Sequence, residues 1–366
     1  MTADLFSDMP APTSATQATA LQLRRVARFP GLRVLAWSGN DLYASRGYDL
    51  LCANIPTSHA VDDRSWPLVG SYSPPLWRSL TASTRLTARL CRDGFHALAV
   101  LPSAIIAALP GTIVKLAPNE PRFHLTHRIT RGTRPLHITA VPNGPVLWGE
   151  YFDNASRDEV HIFASADSGD HWDVAYTFPR GAIRHIHNIV YDPWANCLWI
   201  LTGDYGNECR ILRASCDLSQ VDVVLQGNQQ ARAVALLPTE DGLYFSSDTP
   251  LEPNFIFRLD RSGILSRLAP ISGSSIYGCQ VRGHFFFSTM VEPSAVNTDP
   301  ALHIYGSRDR KNWSPVLSWK KDRWPMAMFQ YGNAFLPDGN NTTNLLAVTT
   351  VAVENDDLVS SLYSIS

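Results

Sequence analysis

Short runs of apolar and β-branched residues recur along the whole chain, and turns rich in Gly, Asp, Asn and Pro separate them. The runs alternate between apolar and polar positions or are briefly continuous, which is typical of strands rather than helices. None reaches the roughly 18 apolar residues that a membrane-spanning helix requires. The pattern therefore predicts an all-β protein with no transmembrane helix.

The runs are organised in a repeat of about 45 residues, each with an apolar strand, a turn, a second strand, a variable loop and two more strands. Four such units begin at Arg134, Arg184, Arg232 and Tyr277. Two looser units precede them, at residues 34–71 and 95–129. A repeat of this length and content is typical of a β-propeller, in which each unit forms one blade.

The last unit has only three strand-like runs, at residues 330–336, 345–353 and 358–365. Residues 23–29 can supply the missing outer strand by pairing beside residues 358–365, which would remove two open sheet edges. The sequence thus predicts a seven-bladed β-propeller of four-stranded antiparallel blades, closed by its N- and C-terminal strands. Six or eight blades are the alternatives. Residues 21–366 are then one domain, and residues 1–20 a disordered or extended lead-in.

Composition narrows the range of partners. The 366 residues are 45% hydrophobic and 17% charged, with a net charge of −2. Near-neutrality argues against nucleic acid and against a membrane surface as partners, because both attract clustered Lys and Arg. The first twenty residues lack the basic start and apolar centre of a secretory signal. The chain as written therefore predicts a cytoplasmic protein, and secretion is left open.

One polar turn between two strand-like runs has the sequence Ser-Ala-Asp-Ser-Gly-Asp-His-Trp, at residues 165–172. Asp bonds its own backbone, Gly supplies a positive φ and Trp packs under the turn. A shorter copy without the Gly lies at residues 307–313. Both resemble the Asp-box, or BNR repeat, of sialidase-like propellers. The resemblance implies a structural role for Asp167 and Trp172. The Arg-Ile-Pro signature of true sialidases is absent, so sialidase activity is not implied.

Propeller geometry places the candidate site. The starts of the inner strands and the ends of the second strands share one face at the mouth of the central channel, opposite the Asp-box turns. Four successive units end their second strand with an acid, which points to a shared pocket. The catalytic candidates are His185, His187, Tyr277, Tyr331, Glu150, Asp204, Asp248 and Glu292. The substrate-binding candidates are Arg134, His137, Arg184, Asn188, Arg232, Glu252, Gln330 and Asn333.

These residue types suggest specific chemistry. Arg134, Arg184 and Arg232 come from consecutive units, and converging guanidinium groups suit a carboxylate. Carboxylates beside Tyr and His form acid/base pairs. His185 and His187 point to the same side of a strand, where they can serve as a general base or bond a sugar. They resemble the His-x-His pair with which oligogalacturonate lyases, also seven-bladed propellers, bind a divalent metal. That resemblance implies a metal site, with His137 as a third ligand, although no cofactor is required.

We therefore predict a carbohydrate-active enzyme that acts on a glycan or sugar conjugate, one bearing a carboxylate, by glycoside hydrolysis or β-elimination at the channel mouth. The alternative is a non-catalytic propeller that binds a protein or glycan partner. Carboxylates that converge in a well-formed pocket favour the enzyme, whereas a flat, apolar face around the channel mouth favours the binding protein.

Overall fold

A computed structural model describes residues 21–55 and 66–366, so the predicted lead-in at residues 1–20 lies outside the described residues. Seven antiparallel β-sheets surround a central channel, which confirms the predicted seven-bladed β-propeller of four-stranded blades. No helix in the described part of the chain is long and apolar enough to cross a membrane.

The strands follow the predicted units in order. The first described strand is β1 (Leu23–Pro30). From the inner strand outward, blade 1 contains β2 (Arg33–Gly39), β3 (Asp41–Arg46), β4 (Asp49–Asn54) and β5 (Leu68–Ser71), and blade 2 contains β6 (Ala97–Val100), β7 (Ile105–Leu109), β8 (Thr112–Leu116) and β9 (His124–Arg128). Blade 3 contains β10 (Thr139–Ala140), β11 (Val146–Gly149), β12 (Val160–Ser165) and β13 (Asp173–Phe178). Blades 4 to 6 contain β14 (His185–Asp192), β15 (Cys197–Gly203), β16 (Arg210–Ala214) and β17 (Val221–Gln226); β18 (Ala233–Thr239), β19 (Gly242–Ser247), β20 (Asn254–Asp260) and β21 (Leu265–Ile271); and β22 (Ser275–Val281), β23 (His284–Thr289), β24 (Ala301–Ser307) and β25 (Ser314–Lys320).

Blade 7 closes the ring as predicted. It contains β26 (Asn333–Phe335), β28 (Leu345–Val351) and β29 (Val359–Ile365), and β1 pairs antiparallel with β29 as its outer strand. The register runs from Leu23 opposite Ile365 to Pro30 opposite Val359. Strand β29 therefore has a hydrogen-bonded neighbour on both sides, β28 and β1, and has no open edge.

A second closure was not predicted. After β26 the chain crosses to blade 1, where β27 (Asp338–Asn341) pairs in parallel with the inner edge of β2. Gly339 has a φ of +88°, and a Cβ atom there would lie 2.2 Å from the carbonyl oxygen of Trp37. Only glycine allows the two strands to approach so closely.

The hydrophobic core lies between neighbouring blades. Phe245 and Phe257 of blade 5 stack with ring centroids 5.2 Å apart, and Leu201 of blade 4 belongs to the same cluster. Trp148 and Phe163 of blade 3 stack at 4.3 Å, in a cluster that includes Ile106 of blade 2. Strands such as β15, which is buried along its whole length, therefore have apolar residues on both faces.

Three short helices were not predicted: α1 (Leu76–Thr81) and α2 (Arg85–Cys91) between blades 1 and 2, and α3 (Met326–Phe329) between blades 6 and 7. Two predicted inner strands are also shorter than expected. The inner strand of blade 3, β10, is only two residues long, because the flanking Pro135 and Pro142 have no backbone N–H to donate to the sheet. Blade 7 begins at Asn333 because Gln330, with a φ of 71°, ends α3.

The Asp-box stretches form turns between the third and fourth strands. In blade 3 the Asp167 carboxylate accepts hydrogen bonds from the backbone of Asp170 and His171, both at 3.0 Å. The Trp172 indole N–H donates to Thr126 of blade 2 at 3.1 Å. In blade 6 Asp309 accepts from two backbone N–H groups in the same way. The predicted structural role of both turns agrees with these contacts.

Candidate functional site

The starts of the inner strands and the ends of the second strands lie on one side of the propeller, which we name the upper face. The Asp-box turns lie on the opposite side, the lower face. Between them runs the central channel, a cavity of about 730 Å³ lined by the inner strands of blades 1 to 6 and by β27, with His137, Asn188 and Tyr277 among its lining residues. The candidate residues surround its upper mouth.

Two histidines from β14 meet at this mouth. The His185 and His187 Nε2 atoms are 3.1 Å apart, and both side chains are almost fully buried. Each Nδ1 lies 3.0 Å from a backbone carbonyl oxygen, that of Phe152 for His185 and that of Ala233 for His187. A Cβ atom on Gly203 would lie 2.5 Å from the His187 ring, so glycine leaves the space for it.

Asp204, just after β15, completes a compact cluster. Its Oδ1 lies 3.4 Å from the His185 Nε2 and 3.3 Å from the His187 Nε2. Ligand atoms of a tetrahedral ion with bonds of about 2.0–2.1 Å are separated by about 3.3 Å. These three residues could therefore hold a divalent cation. His137, predicted as a third ligand, lies outside this cluster, with its Nδ1 3.1 Å from Asp338.

Two of the predicted arginines are engaged by the chain's own acids. Arg184 pairs with Asp153 and Asp204, and Arg232 lies 3.3 Å from Asp204 and 3.4 Å from Asp248. Burial alone would raise the pKa of Asp204, but hydrogen bonds from both histidines and the charge of Arg232 hold it well below its usual range. The chain's own acids therefore already compensate the charges of both guanidinium groups, although the buried Nε of each has no hydrogen-bond partner among the described residues.

The other two acids differ from each other. The Glu150 carboxylate is buried and bonded by Arg131 Nε and by the His161 backbone N–H, both at 2.8 Å. Glu292 accepts a hydrogen bond from Ser274 at 3.0 Å. Burial and the nearby Asp248 raise the pKa of Glu292. Glu292 is therefore the acid at this mouth that is best suited to hold a proton.

The remaining candidates are spread around the mouth. Arg134 precedes the inner strand of blade 3, Tyr277 lies on the inner strand of blade 6, and Tyr331 is exposed on the upper face. Hydrogen bonds within the chain engage the others: Asn188 with Val234, Glu252 with Gln230 and Gln330 with Arg89. Asn333 is buried at the start of β26. The predicted residues thus share a face but do not converge on one point.

Several residues at the mouth were not predicted as site residues. The Tyr151 ring lies 4.3 Å from that of His185, and burial raises the pKa of its hydroxyl to about 12. Arg33 at the start of β2 donates to His96 at 3.3 Å. Arg33 starts the inner strand of blade 1, and Tyr151 follows the second strand of blade 3, so both occupy positions that the register places at the channel mouth. For Arg33, the looser repeat in blade 1 obscured that register.

The upper face also exposes apolar side chains. Among the described residues, sixteen large apolar side chains are exposed, and ten of these lie in upper-face connections. They are Leu76, Trp77, Leu80, Leu90, Tyr205, Leu251, Val296, Trp324, Met328 and Tyr331. Lower-face turns expose only Trp194 and Ile264 in the described part, and the other four lie on outer strands. The two ends of the propeller therefore differ in apolar exposure.

No family model matches this sequence, and no curated protein matches it either. Solved structures do. The WD40 β-propeller domain of Doa1 is 9% identical with a TM-score of 0.57, over 94% of this chain and 97% of that one. The N-terminal domain of Nup159 is 8% identical with a TM-score of 0.56, over 98% and 99%. The CNH domain of AfRom2 is 8% identical with a TM-score of 0.54, over 95% and 97%.

At these identities the comparisons show the propeller fold alone. None of these three structures is a sialidase-like protein, so they do not support the resemblance drawn from the Asp-box turns. The predicted glycan ligand also finds no support in them.

Proposed function

We propose that this chain is a non-catalytic binding propeller whose upper face binds a protein partner. The concentration of exposed apolar side chains on that face carries the proposal. Patches of exposed apolar side chains mark interaction sites, and five of these side chains lie on α1, α2 and α3, where α2 contacts both other helices. The set includes Trp77, Trp324, Tyr205, Tyr331 and Met328, and protein interfaces are enriched in aromatic residues and Met.

The apolar side chains of helix α1 are exposed while polar contacts fix the position of the helix. It buries none of its residues, and Leu76 and Leu80 are 85% and 73% exposed. Polar contacts nevertheless fix its position, because Arg78 and Thr81 both bond Asp93, at 2.7 and 2.6 Å. A helix fixed from its polar side presents its apolar side chains with little further loss of entropy on binding.

Helix α2 connects this region to the segment between blades 6 and 7. Its buried Arg89 donates to the carbonyl oxygen of Phe329 at 3.0 Å and to Asp322 at 2.7 Å, and it also pairs with Asp357. These bonds connect the helices after blade 1 with α3, which exposes Met328. The exposed residues of α1, α2 and α3 thus belong to one supported surface.

The acids at the channel mouth favour binding over glycoside hydrolysis. A catalytic carboxylate must reach the substrate as acid, base or nucleophile. Asp204 and Asp248 share Arg232, and Arg131 covers Glu150. With three of the four predicted acids engaged, partner binding accounts for this face better than hydrolysis does.

The test uses a purified partner. A protein that the immobilised chain retains from extract of its own cells is identified, purified and titrated against the chain by calorimetry. Leu80→Asp and Met328→Asp on the upper face should each weaken binding at least about tenfold. Trp194→Asp and Ile264→Asp on the lower face, similarly exposed, should leave it unchanged. Equal weakening by both pairs, or binding to lipid vesicles instead of protein, would overturn the proposal.

One observation favours a second candidate, the predicted carbohydrate-active enzyme with a divalent metal. Both His Nδ1 atoms lie 3.0 Å from backbone carbonyl oxygens, which directs the Nε2 atoms of His185 and His187 toward each other and toward Asp204, where an ion would replace the Nε2 protons that bond Asp204. Metal-binding histidines are oriented in this way. Calorimetric titration with Zn²⁺ and Mn²⁺ should then show one site that His187→Ala removes. Metal-dependent release of unsaturated or reducing ends from acidic oligosaccharides would establish the enzyme, whereas binding without turnover would not.

A further inference from the structure

Three arginines lie at the channel mouth where the chain enters blades 1, 2 and 3, and we name them the arginine cluster. Arg33 starts β2, Arg134 precedes β10, and Arg92 follows α2 with a left-handed φ of 52°. They come from three successive parts of the ring, blade 1, blade 3 and the connection into blade 2. Within the described residues none of the three forms a salt bridge, whereas Arg184 and Arg232 each form two.

The contacts of the arginine cluster leave most of its donors unused. Arg33 donates from Nη1 to the His96 Nδ1 and lies 4.2 Å from the Phe335 ring, but its buried Nε has no hydrogen-bond partner. Arg134 makes one long side-chain hydrogen bond, to Thr133 at 3.4 Å. Guanidinium groups rarely stay buried without a partner, because losing hydration is costly.

His96 adds no charge to the arginine cluster. Its Nε2 donates to the Arg92 carbonyl oxygen at 2.7 Å, and its Nδ1 accepts from Arg33, so the ring is neutral. Burial and the charges of Arg134 and Arg33 hold its pKa well below the usual range. Burial, together with Arg33 and Arg92, also lowers the pKa of Arg134 to about 10. The like charges therefore repel each other, and no described acid forms a salt bridge with them.

A neutral hydrogen-bond donor, the Tyr277 hydroxyl, lies beside the arginine cluster. Tyr277 from β22 lies 4.9 Å from the Phe335 ring, next to the arginine cluster. Its pKa is raised to about 12, chiefly by burial, so the hydroxyl is protonated at neutral pH. Among the described residues that hydroxyl has no hydrogen-bond partner. The groups that converge here are donors and cations, the reverse of the acid-rich side at Asp204, Asp248 and Glu292.

We propose that Arg33 and Arg134, with Arg92 at the rim and the Tyr277 hydroxyl, form a binding site for an oxyanion, the carboxylate or phosphate group of a ligand. Planar guanidinium groups bond both groups in a bidentate manner. The ligand would supply the counter-charge that the described residues do not place there. Arg92 follows α2 directly, so the site borders the apolar surface, but anion binding does not depend on a protein bound to that surface.

Thermal unfolding and calorimetry test the site with inorganic phosphate, sulfate and citrate, each at an ionic strength matched with NaCl. We expect saturable stabilisation by at least one anion over chloride. Arg33→Gln and Arg134→Gln should weaken its binding at least about tenfold, the usual effect of losing a charged hydrogen bond. Arg128→Gln on β9, an exposed arginine that forms no ion pair with another described residue, is the matched control and should bind normally. Preference for citrate over phosphate would identify a carboxylate ligand, and the reverse a phosphoryl ligand.

Stability without anion separates binding from a structural role. Removing one of several repelling charges should raise the unfolding temperature of Arg134→Gln, whereas loss of a structural contact would lower it. The exposed Arg92→Gln keeps the test open if a buried variant fails to fold, because it should still weaken anion binding. No saturable effect of any anion, or equal weakening by Arg128→Gln and the cluster variants, would overturn the proposal.

Discussion

Arg261 of blade 5 forms a bidentate ion pair with Asp192 at the end of β14 in blade 4. Its Nη1 atom lies 2.5 Å from Oδ2 and its Nη2 atom 3.1 Å from Oδ1. Asp192 is completely buried, and the Trp199 indole N–H also donates to it at 3.0 Å. The pair thus joins two neighbouring blades. Removing one partner from a buried ion pair leaves the other charge uncompensated.

Asp192→Asn should therefore lower the free energy of unfolding by about 3–5 kcal/mol. Urea denaturation followed by tryptophan fluorescence measures it. Glu354→Gln, which breaks an exposed pair with Lys320, is the control and should unfold close to the wild type. A small effect of Asp192→Asn would mean that packing rather than the ion pair joins these blades.

The same pair predicts acid sensitivity. Burial would raise the pKa of Asp192, but hydrogen bonds from Arg261 and Trp199 outweigh it and lower the pKa. A carboxyl whose folded pKa lies below its unfolded value of about 3.9 stabilises the fold above that pH. This stabilisation is lost as the pH falls through the folded pKa. The difference in stability between wild type and Asp192→Asn should accordingly shrink below about pH 4, measured by urea titrations at stepped pH.

The Asp-box turn of blade 3 should be structural. Asp167→Ala should cost about 1 kcal/mol through lost turn hydrogen bonds, and Trp172→Ala about 3 kcal/mol through lost packing. Because the turn lies on the lower face, neither change should affect partner or anion binding by the folded protein. Loss of binding in folded Asp167→Ala would reverse the assignment of the two faces.

Gly339 should be irreplaceable where β27 meets β2. Gly339→Ala adds a clash with Trp37 to the cost of a left-handed backbone, which is about 1–2 kcal/mol. Gly181→Ala is the matched control, since its φ of +84° is similar but open space surrounds it. Hydrogen exchange should show faster exchange across β27 in Gly339→Ala only. Equal behaviour of the two variants would show that crowding at β27 is unimportant.

The N-terminal strand should be required for cooperative folding. Without residues 21–30, β29 becomes an open edge and blade 7 loses its outer strand. We expect this truncated protein to unfold over a broad range of temperature and to aggregate. A peptide covering residues 21–32 should restore a single sharp transition, and a scrambled peptide should not. A truncated protein that unfolds as sharply as the intact one would show that β27 alone closes the ring.

The repeat of short apolar runs by itself determined the seven-bladed propeller architecture. Strand patterning is local, because side chains alternate along each strand, and a propeller repeats one local unit. The shortage of one strand in the last unit was enough to place residues 23–29 beside β29. The face on which the polar residues gather followed from the same register.

Contacts between blades were decided by the tertiary structure alone. Nothing in the repeat shows that Asp204 pairs with both Arg184 and Arg232, that His137 bonds Asp338, or that Arg33 and Arg134 form no salt bridge with a described residue. Each of these contacts depends on distances of a few ångströms between side chains from different blades. A repeat along the chain places residues on a face, but only the closed ring determines which of them meet.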